Sequence, residues 1–289
     1  MIRIVTDSTC DLPPEIINRY GIRVVPLYIN IGGKGYLDGV EITRQEFYRA
    51  LPTYPTNPTT AASSPDKYRA EYESLVKEGA TEILSIHISV ALSAVVDTAR
   101  MAAEQTEAVP VTVLDSRQVS LGTGFLVETA AKLATLGRSM AEIVDALNDQ
   151  IERSHVFAAL DTLEYLKRSG RMNGAIAAMG TLLQLKPILT MYDGKPGAER
   201  VRTHDHAIQR LLEMLSAAGA IERVAIIHTD VPNRVAELRR QAAHLLPPGD
   251  ILAMDITPVI GAHIGPGMVG FAVVTERQAL PLAAAPIAR

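Results

Sequence analysis

Several short polar side chains stand where apolar runs give way to turns or helices. Asp7-Ser8 follows a run over residues 2–5, Ser89 and Ser93 follow one over 82–88, and Asp115-Ser116 follow one over 109–114. Thr59 and Thr60 lie in a Pro/Thr/Ala/Ser-rich loop over 52–65. In an open parallel sheet, ligands gather beyond the carboxyl ends of the strands. Hydroxyls there, beside the free N–H groups and positive end of a helix, suit a carboxylate, because each contact is a charge-assisted hydrogen bond. The residues alone leave a second reading open. Ser89 and Ser93 also serve as caps of the helix predicted over 92–104.

Other chemistries find less support. A serine hydrolase wants Gly-x-Ser-x-Gly, and Ala91-Leu92-Ser93-Ala94-Val95 lacks both glycines. Gly265-Pro266-Gly267-Met268-Val269-Gly270 matches the dinucleotide spacing, but it leads into a predicted strand rather than a helix. No Gly-x-x-x-x-Gly-Lys is present to cradle a nucleotide phosphate. His204 and His206 fall on different sides of a helix, which argues against a shared metal. The single cysteine, Cys10, offers neither an intrachain disulfide nor a sulfur zinc site.

These side chains need elements to position them. Strands are predicted over 2–5, 22–29, 82–88 and 109–114. Helices are predicted from an Asp11 cap, over 44–51, 66–78, 92–104, 121–136 and 140–153. Thr43 and Glu46 form a capping box for the helix over 44–51. Alternating strands and helices imply a Rossmann-like parallel sheet with flanking helices, over residues 1–155. The remainder, over 156–280, reads as a second α/β domain with a mixed or antiparallel sheet. Its strands are expected over 156–160, 186–192, 223–228, 251–255 and 271–274, and its helices over 162–169, 175–185, 203–217 and 232–244. The chain is therefore expected to be α/β with two domains and a ligand between them.

Composition narrows the class. Of 289 residues, 47% are hydrophobic and 21% charged, and the net charge is -4. Without a basic block, no footprint for nucleic acid is present. The apolar start is too short for a signal peptide and the run over 175–185 too short to span a bilayer, so no stable membrane insertion is expected. The expected compartment is the cytoplasm. There is no Trp and only 4 Phe among many Ala, Leu, Ile and Val, a balance that fits a pocket walled by slim aliphatic side chains as well as an Ala-rich core.

Taken in order, these segments resemble the DegV family, which includes the fatty-acid-binding subunits of bacterial fatty acid kinase. The resemblance rests on Val5-Thr6-Asp7-Ser8, Thr59-Thr60 with Ser64-Pro65, Ile88-Ser89 with Leu92-Ser93, and Asp115-Ser116 followed by Gly122 and Gly124. It continues through residues 163–171, Lys186-Pro187-Ile188-Leu189, Val201-Arg202-Thr203 and His263-x-Gly-Pro-Gly-x-x-Gly. It implies one acyl chain, such as palmitate, stearate or oleate, buried between two domains. It assigns the carboxylate to Thr60 and Ser93, with His263 near the head group. Asp7, Ser8, Ser89, Asp115, Ser116, Gly265 and Gly267 fall around the same pocket, and Arg171 and Arg202 at a surface facing a kinase subunit. It implies no cofactor, no metal and no catalysis by this chain, with the kinase making an acyl phosphate for phospholipid synthesis. Two departures stand out: Ala61-Ala62-Ser63 replaces Ser-Gln-Pro after Thr60, and Ala94 replaces the glycine after Ser93.

The energetics suit such a ligand. About 14 buried CH₂ groups at about 0.8 kcal/mol each contribute roughly 11 kcal/mol. Ordering and association cost several kcal/mol. The head-group contacts then need only leave no unpaired buried charge and fix the orientation. Two rivals to a carrier remain: an enzyme acting on an acyl substrate through Ser93 or using Asp7 as acid or base, and a transcription-linked sensor, for which no DNA-binding element is found.

Overall fold

The computed structural model describes residues 1–171 and 186–277. The first half runs β1 (Ile2–Asp7), α1 (Pro14–Tyr20), β2 (Arg23–Val25), β3 (Tyr28–Ile31), β4 (Lys34–Leu37), α2 (Arg44–Ala50) and β5 (Thr59–Ala61). It continues with α3 (Pro65–Lys77), β6 (Glu82–His87), α4 (Val95–Glu104), β7 (Val111–Asp115), α5 (Leu121–Thr135) and α6 (Met140–Glu152). The second half runs β8 (Ser154–Ala159), α7 (Glu164–Arg168), β9 (Lys186–Tyr192), β10 (Lys195–Val201) and α8 (His204–Ala217). It ends with β11 (Ile221–His228), α9 (Pro232–Ala242), β12 (Leu252–Asp255), α10 (Pro258–Ile264) and β13 (Val269–Thr275).

Three sheets result. The first is parallel, in the order β2-β1-β6-β7. The second is a small antiparallel sheet, β4-β3-β5. The third has the order β10-β9-β8-β13-β11-β12 and is antiparallel except for the β11–β12 pair. The chain is thus α/β, with a parallel sheet followed by a mixed one, and it passes between the two at Arg153.

Local chemistry explains most boundaries. The capping boxes Thr43/Glu46 and Ser139/Glu142 close the first turns of α2 and α6. Gly32 and Gly33, both at positive φ, make the tight turn between β3 and β4. The strand expected over 22–29 is broken into β2 and β3, because Pro26 has no N–H for a ladder. Instead, the Pro26 carbonyl accepts a bond from Ser63 Oγ at 2.6 Å.

Other expectations change as well. Asp11 does not cap α1; it lies in the left-handed region and Pro13 takes the N-cap position. The helix expected from residue 92 begins at Val95, with Ala94 at its N-cap, so Ser93 lies outside it. Part of the loop over 52–65 is β5, paired with β3. Residues 195–201 and 258–264 form β10 and α10, which have no counterpart among the expected elements. The helix expected over 175–185 lies outside the described residues.

One apolar cluster runs from the parallel sheet, through α5, to the inner face of the mixed sheet at Val156, Ala158, Met191 and Ile227. A second cluster covers the outer face, where Phe157, Ile188 and Phe271 meet α8 and α9. The side chains of β8 therefore alternate between two cores, as the period of a strand requires.

Candidate functional site

A cavity of about 270 Å³ opens inside the first cluster. The loops after β1, β6 and β7, the strand β5, the inner face of β8 and β9, and one side of α10 all contribute to its wall. The wall is mostly aliphatic, with Ile88, Val156, Leu160, Leu189, Ile227 and Ile260 among its members. Among the described lining residues there is no aromatic ring other than the imidazole of His263, and no carboxylate. The shortage of Phe and Trp in the sequence thus has a counterpart in a slim bore.

The polar residues on the wall are Thr9, Thr60, Ser93, Ser120, Arg171, Thr190 and His263. Thr60 is fixed by β5, where it pairs with Ile29 of β3. The ladder constrains the Thr60 backbone although Ala61-Ala62-Ser63 follows it. His263 sits in the last turn of α10, and its Nε2 lies 2.8 Å from Thr60 Oγ1. Its Nδ1 is buried and has no partner among the described residues. Burial, helped by the charge of Arg171, pushes the His263 pKa down to about 4. The ring is therefore neutral near pH 7 and carries one N–H. Either the threonine hydroxyl donates to Nε2 and leaves Nδ1–H over, or Nε2–H donates and leaves the hydroxyl proton over. In both cases the pair has one polar hydrogen to give.

Ser93 lies in the turn between β6 and α4, where its N–H donates to the Ser89 carbonyl at 3.1 Å. Its hydroxyl caps nothing, and among the described residues it has no hydrogen-bond partner. Ser89 holds this turn instead: it is buried, and its Oγ accepts from Ala91 N–H at 3.2 Å.

The remaining polar candidates from the sequence do not line the cavity; each has another partner. Asp7 is buried, with Oδ2 3.0 Å from His87 Nδ1 and accepting from Ile88 N–H at 3.2 Å. Its Oδ1 accepts from Thr9 N–H at 3.0 Å and from the Thr9 hydroxyl. Burial pushes this carboxyl up, but the bonds and charge from His87 and the bonds from Thr9 outweigh it and hold it below the usual carboxylate range. Ser8 Oγ accepts from Leu27 N–H at 3.2 Å. Asp115 accepts from Arg117 N–H at 2.8 Å, and Ser116 Oγ lies 2.9 Å from Thr123 Oγ1.

Gly265 and Gly267 shape the turn after α10 and are not among the described lining residues of the cavity. Both have positive φ, and a Cβ on them would run into the Tyr165 ring and Asp161 Oδ2, respectively. Arg171 is exposed at the cavity, whereas exposed Arg202 lies between β10 and α8, away from the wall.

Two groupings are not legible in the sequence. Ser85, His87 and Asp7 are linked in the order of an acyl-transfer triad, with Ser85 Oγ 2.7 Å from His87 Nε2. All three are fully buried off the cavity wall, and Ser85 also accepts from Tyr72 O–H at 2.8 Å, so the grouping serves as a core hydrogen-bond chain. Ser85 and His87 share one face of β6, a signal present in the sequence but without meaning until β1 brings Asp7 beside them. The second grouping, Asp11, Asp38, Arg44, Ser120 and Thr257, joins segments far apart in the chain and carries no motif. Among the described residues, no His/Cys/Asp/Glu cluster could hold a metal ion, and no helix is long and apolar enough to cross a membrane.

Comparison with known proteins agrees with this architecture. A DegV domain-containing protein of Streptomyces coelicolor is 35% identical over 277 residues, covering 94% of this chain and 98% of its own length. A DegV family protein from Thermus thermophilus, described by its fatty acid binding, superposes with a TM-score of 0.87 at 37% identity, covering 95% of this chain and 99% of that one. DegV of Bacillus subtilis, described as a fatty acid binding protein, gives a TM-score of 0.87 at 28% identity, covering 95% and 99%. A stearic-acid-binding protein from Eubacterium ventriosum gives 0.84 at 25%, covering 95% and 98%. The profile of the DegV family, described as uncharacterised proteins, matches residues 1–276, and the chain belongs to that family.

Proposed function

We propose that this protein is a carrier for one long-chain fatty acid, held by its carboxylate at Thr60, Ser93 and His263, with residues 1–155 and 156–280 as the two domains that enclose it. The observation that carries this reading is the Thr60–His263 pair. The pair has one polar hydrogen to give, and its two residues line, with Ser93, a slim aliphatic cavity that has no acid among its described lining residues. A carboxylate supplies the missing acceptor, and an acyl chain matches the wall. Similar structures described as fatty acid binding support the same ligand class.

The carrier hands its cargo to a separate kinase, with Arg171 and Arg202 on the docking surface. That kinase moves the terminal phosphoryl group of ATP onto a carboxylate oxygen, giving an acyl phosphate and ADP. The Ser93 hydroxyl, without a partner among the described residues, favours one rival, an acyl-enzyme formed when Ser93 Oγ attacks the carbonyl of an acyl ester or thioester and displaces its alcohol or thiol. Native and denaturing mass spectrometry of the purified chain separates the two. Palmitate or oleate seen in the native spectrum and lost on denaturation supports the carrier. A mass increase that survives denaturation and maps to Ser93 supports the enzyme. A chain that takes up neither acid overturns the fatty-acid reading.

A further inference from the structure

Thr257 is the N-cap of α10, the helix that bears His263. Two buried carboxylates hold it from the other half of the chain. Its N–H donates to Asp11 Oδ1 at 2.8 Å, and its hydroxyl donates to Asp38 Oδ2. Asp11 Oδ1 also accepts from Arg44 Nη2 at 2.9 Å, and Oδ2 accepts from Ser120 Oγ at 2.7 Å. Ser120 is itself a wall residue of the cavity, held at positive φ, a conformation that costs a non-glycine residue energy. Tyr48 of α2 closes the group from the side, donating to the Ile256 carbonyl at 3.1 Å. The grouping therefore ties the loop after β1, the end of β4, α2, the start of α5 and the start of α10 to one point beside the cavity.

We propose that Asp11 and Asp38 are positioning residues that form a proton-controlled clamp on Thr257, setting the place of His263 and so how firmly the cavity keeps its ligand. The ligand half of this statement rests on the fatty-acid reading; the clamp itself does not.

The charges make the clamp sensitive. Two carboxylates face one guanidinium in a buried space, so full ionisation leaves an unbalanced negative charge. Burial pushes Asp11 up to about 7; Arg44 and the Ser120 bond pull it down, and the charge of Asp38 pushes it further up. Burial raises Asp38 as well. The other titratable groups turned toward the cluster are Cys10, Tyr48, Asp7, and Asp255 with its partner His228. Burial holds Cys10 and Tyr48 protonated through neutrality, so neither adds to the negative charge. As pH rises toward 7 Asp11 gives up its proton, and the burial of a second carboxylate charge beside Asp38 outweighs the firmer bond that the ionised group accepts from Thr257 N–H, so the joint hold on Thr257 loosens.

The test uses the full chain without ligand. Hydrogen exchange of residues 257–264, corrected for intrinsic rates, is followed from pH 4 to 9. Protection is expected to fall as pH rises from 4 toward 7, by at most about tenfold per pH unit for one linked proton, and to level off above 7. Asp11→Asn keeps an acceptor for Thr257 N–H and Arg44 but cannot ionise, so its profile is expected to be flat. Asp38→Asn is the second variant should Asp11→Asn fail to fold. In parallel, release of radiolabelled palmitate from loaded protein is expected to quicken as pH rises from 5 to 7 in the native chain and not in the variant. Protection that is flat in the native chain, or that titrates equally in both variants, overturns the clamp. Titrating protection without any change in palmitate release overturns its link to the ligand. A chain that shows the exchange profile but never binds palmitate leaves the clamp standing and removes the fatty-acid reading.

Discussion

Thr60 Oγ1 and His263 Nε2 meet at 2.8 Å although 203 residues separate them in the chain. The contact joins an edge strand of the smallest sheet to the last turn of α10, and each side chain limits the other's orientation. Thr60→Val and His263→Phe should each weaken palmitate binding by roughly tenfold to a hundredfold, the value of a hydrogen bond to a charged group at about 1.5–3 kcal/mol. The double variant should lose little more than either single one, because the residues act as a pair. Isothermal titration of the four proteins checks this, and additive losses would contradict it.

Ser93 should behave differently. Its hydroxyl caps no helix. Ser93→Ala should therefore leave thermal stability within about 0.5 kcal/mol, as for a substitution that breaks no cap and opens no cavity. Palmitate binding should still weaken, by about tenfold. A fall in melting temperature equal to that of a lost N-cap would return Ser93 to a structural role.

The sequence made part of this legible. β1, β6 and β7 show as apolar runs ending in polar residues, and the capping box at Thr43 is written in two side chains. Thr60, Ser93 and His263 stand out through the family resemblance, not through periodicity. β5 and α10 are short, three and seven residues, and have no local signal because their pairing and packing partners lie far away in the chain. Asp11 reads as a helix cap because an Asp shortly before Pro-Pro is a common start. Its real bonds go to Arg44, Ser120 and Thr257, which no local pattern can reveal.

Two buried groups give opposite pH dependences to the ligand-free protein. The folded-state pKa of His263, about 4, lies below its ordinary value of 6.5, so its contribution is present above pH 6.5 and is lost as pH falls toward 4. The Asp11 pKa of about 7 lies above its ordinary 3.8, so its contribution is full below 3.8 and is lost as pH rises through 7. Both act between about pH 4 and 7, so in urea unfolding stability should fall more steeply with rising pH in His263→Phe, and rise more steeply in Asp11→Asn, than in the native chain. A bound carboxylate near His263 should raise its affinity for a proton. Palmitate binding near pH 5.5 should therefore take up protons, seen as a dependence of the titration heat on buffer ionisation enthalpy.

Tyr72, Ser85, His87 and Asp7 form one buried hydrogen-bonded chain off the cavity wall. Asp7→Ala should cost about 3–5 kcal/mol, because it leaves His87 and two backbone N–H groups without an acceptor. Ser85→Ala should leave palmitate affinity unchanged in any protein that folds. A loss of binding in Ser85→Ala with normal unfolding behaviour would show that this chain reaches the ligand after all.

The three residues of β5 pair with β3 on one side only. Such a short border segment can detach while both large sheets stay intact, since local openings need far less free energy than global unfolding. Detachment carries Thr60 away from His263 and removes one arm of the grip in a single step. The residence time of a bound molecule would then be governed by the fraying of one small seam, and substitutions at Tyr28, Ile29 or Asn30, which touch the ladder, would alter retention without touching the cargo.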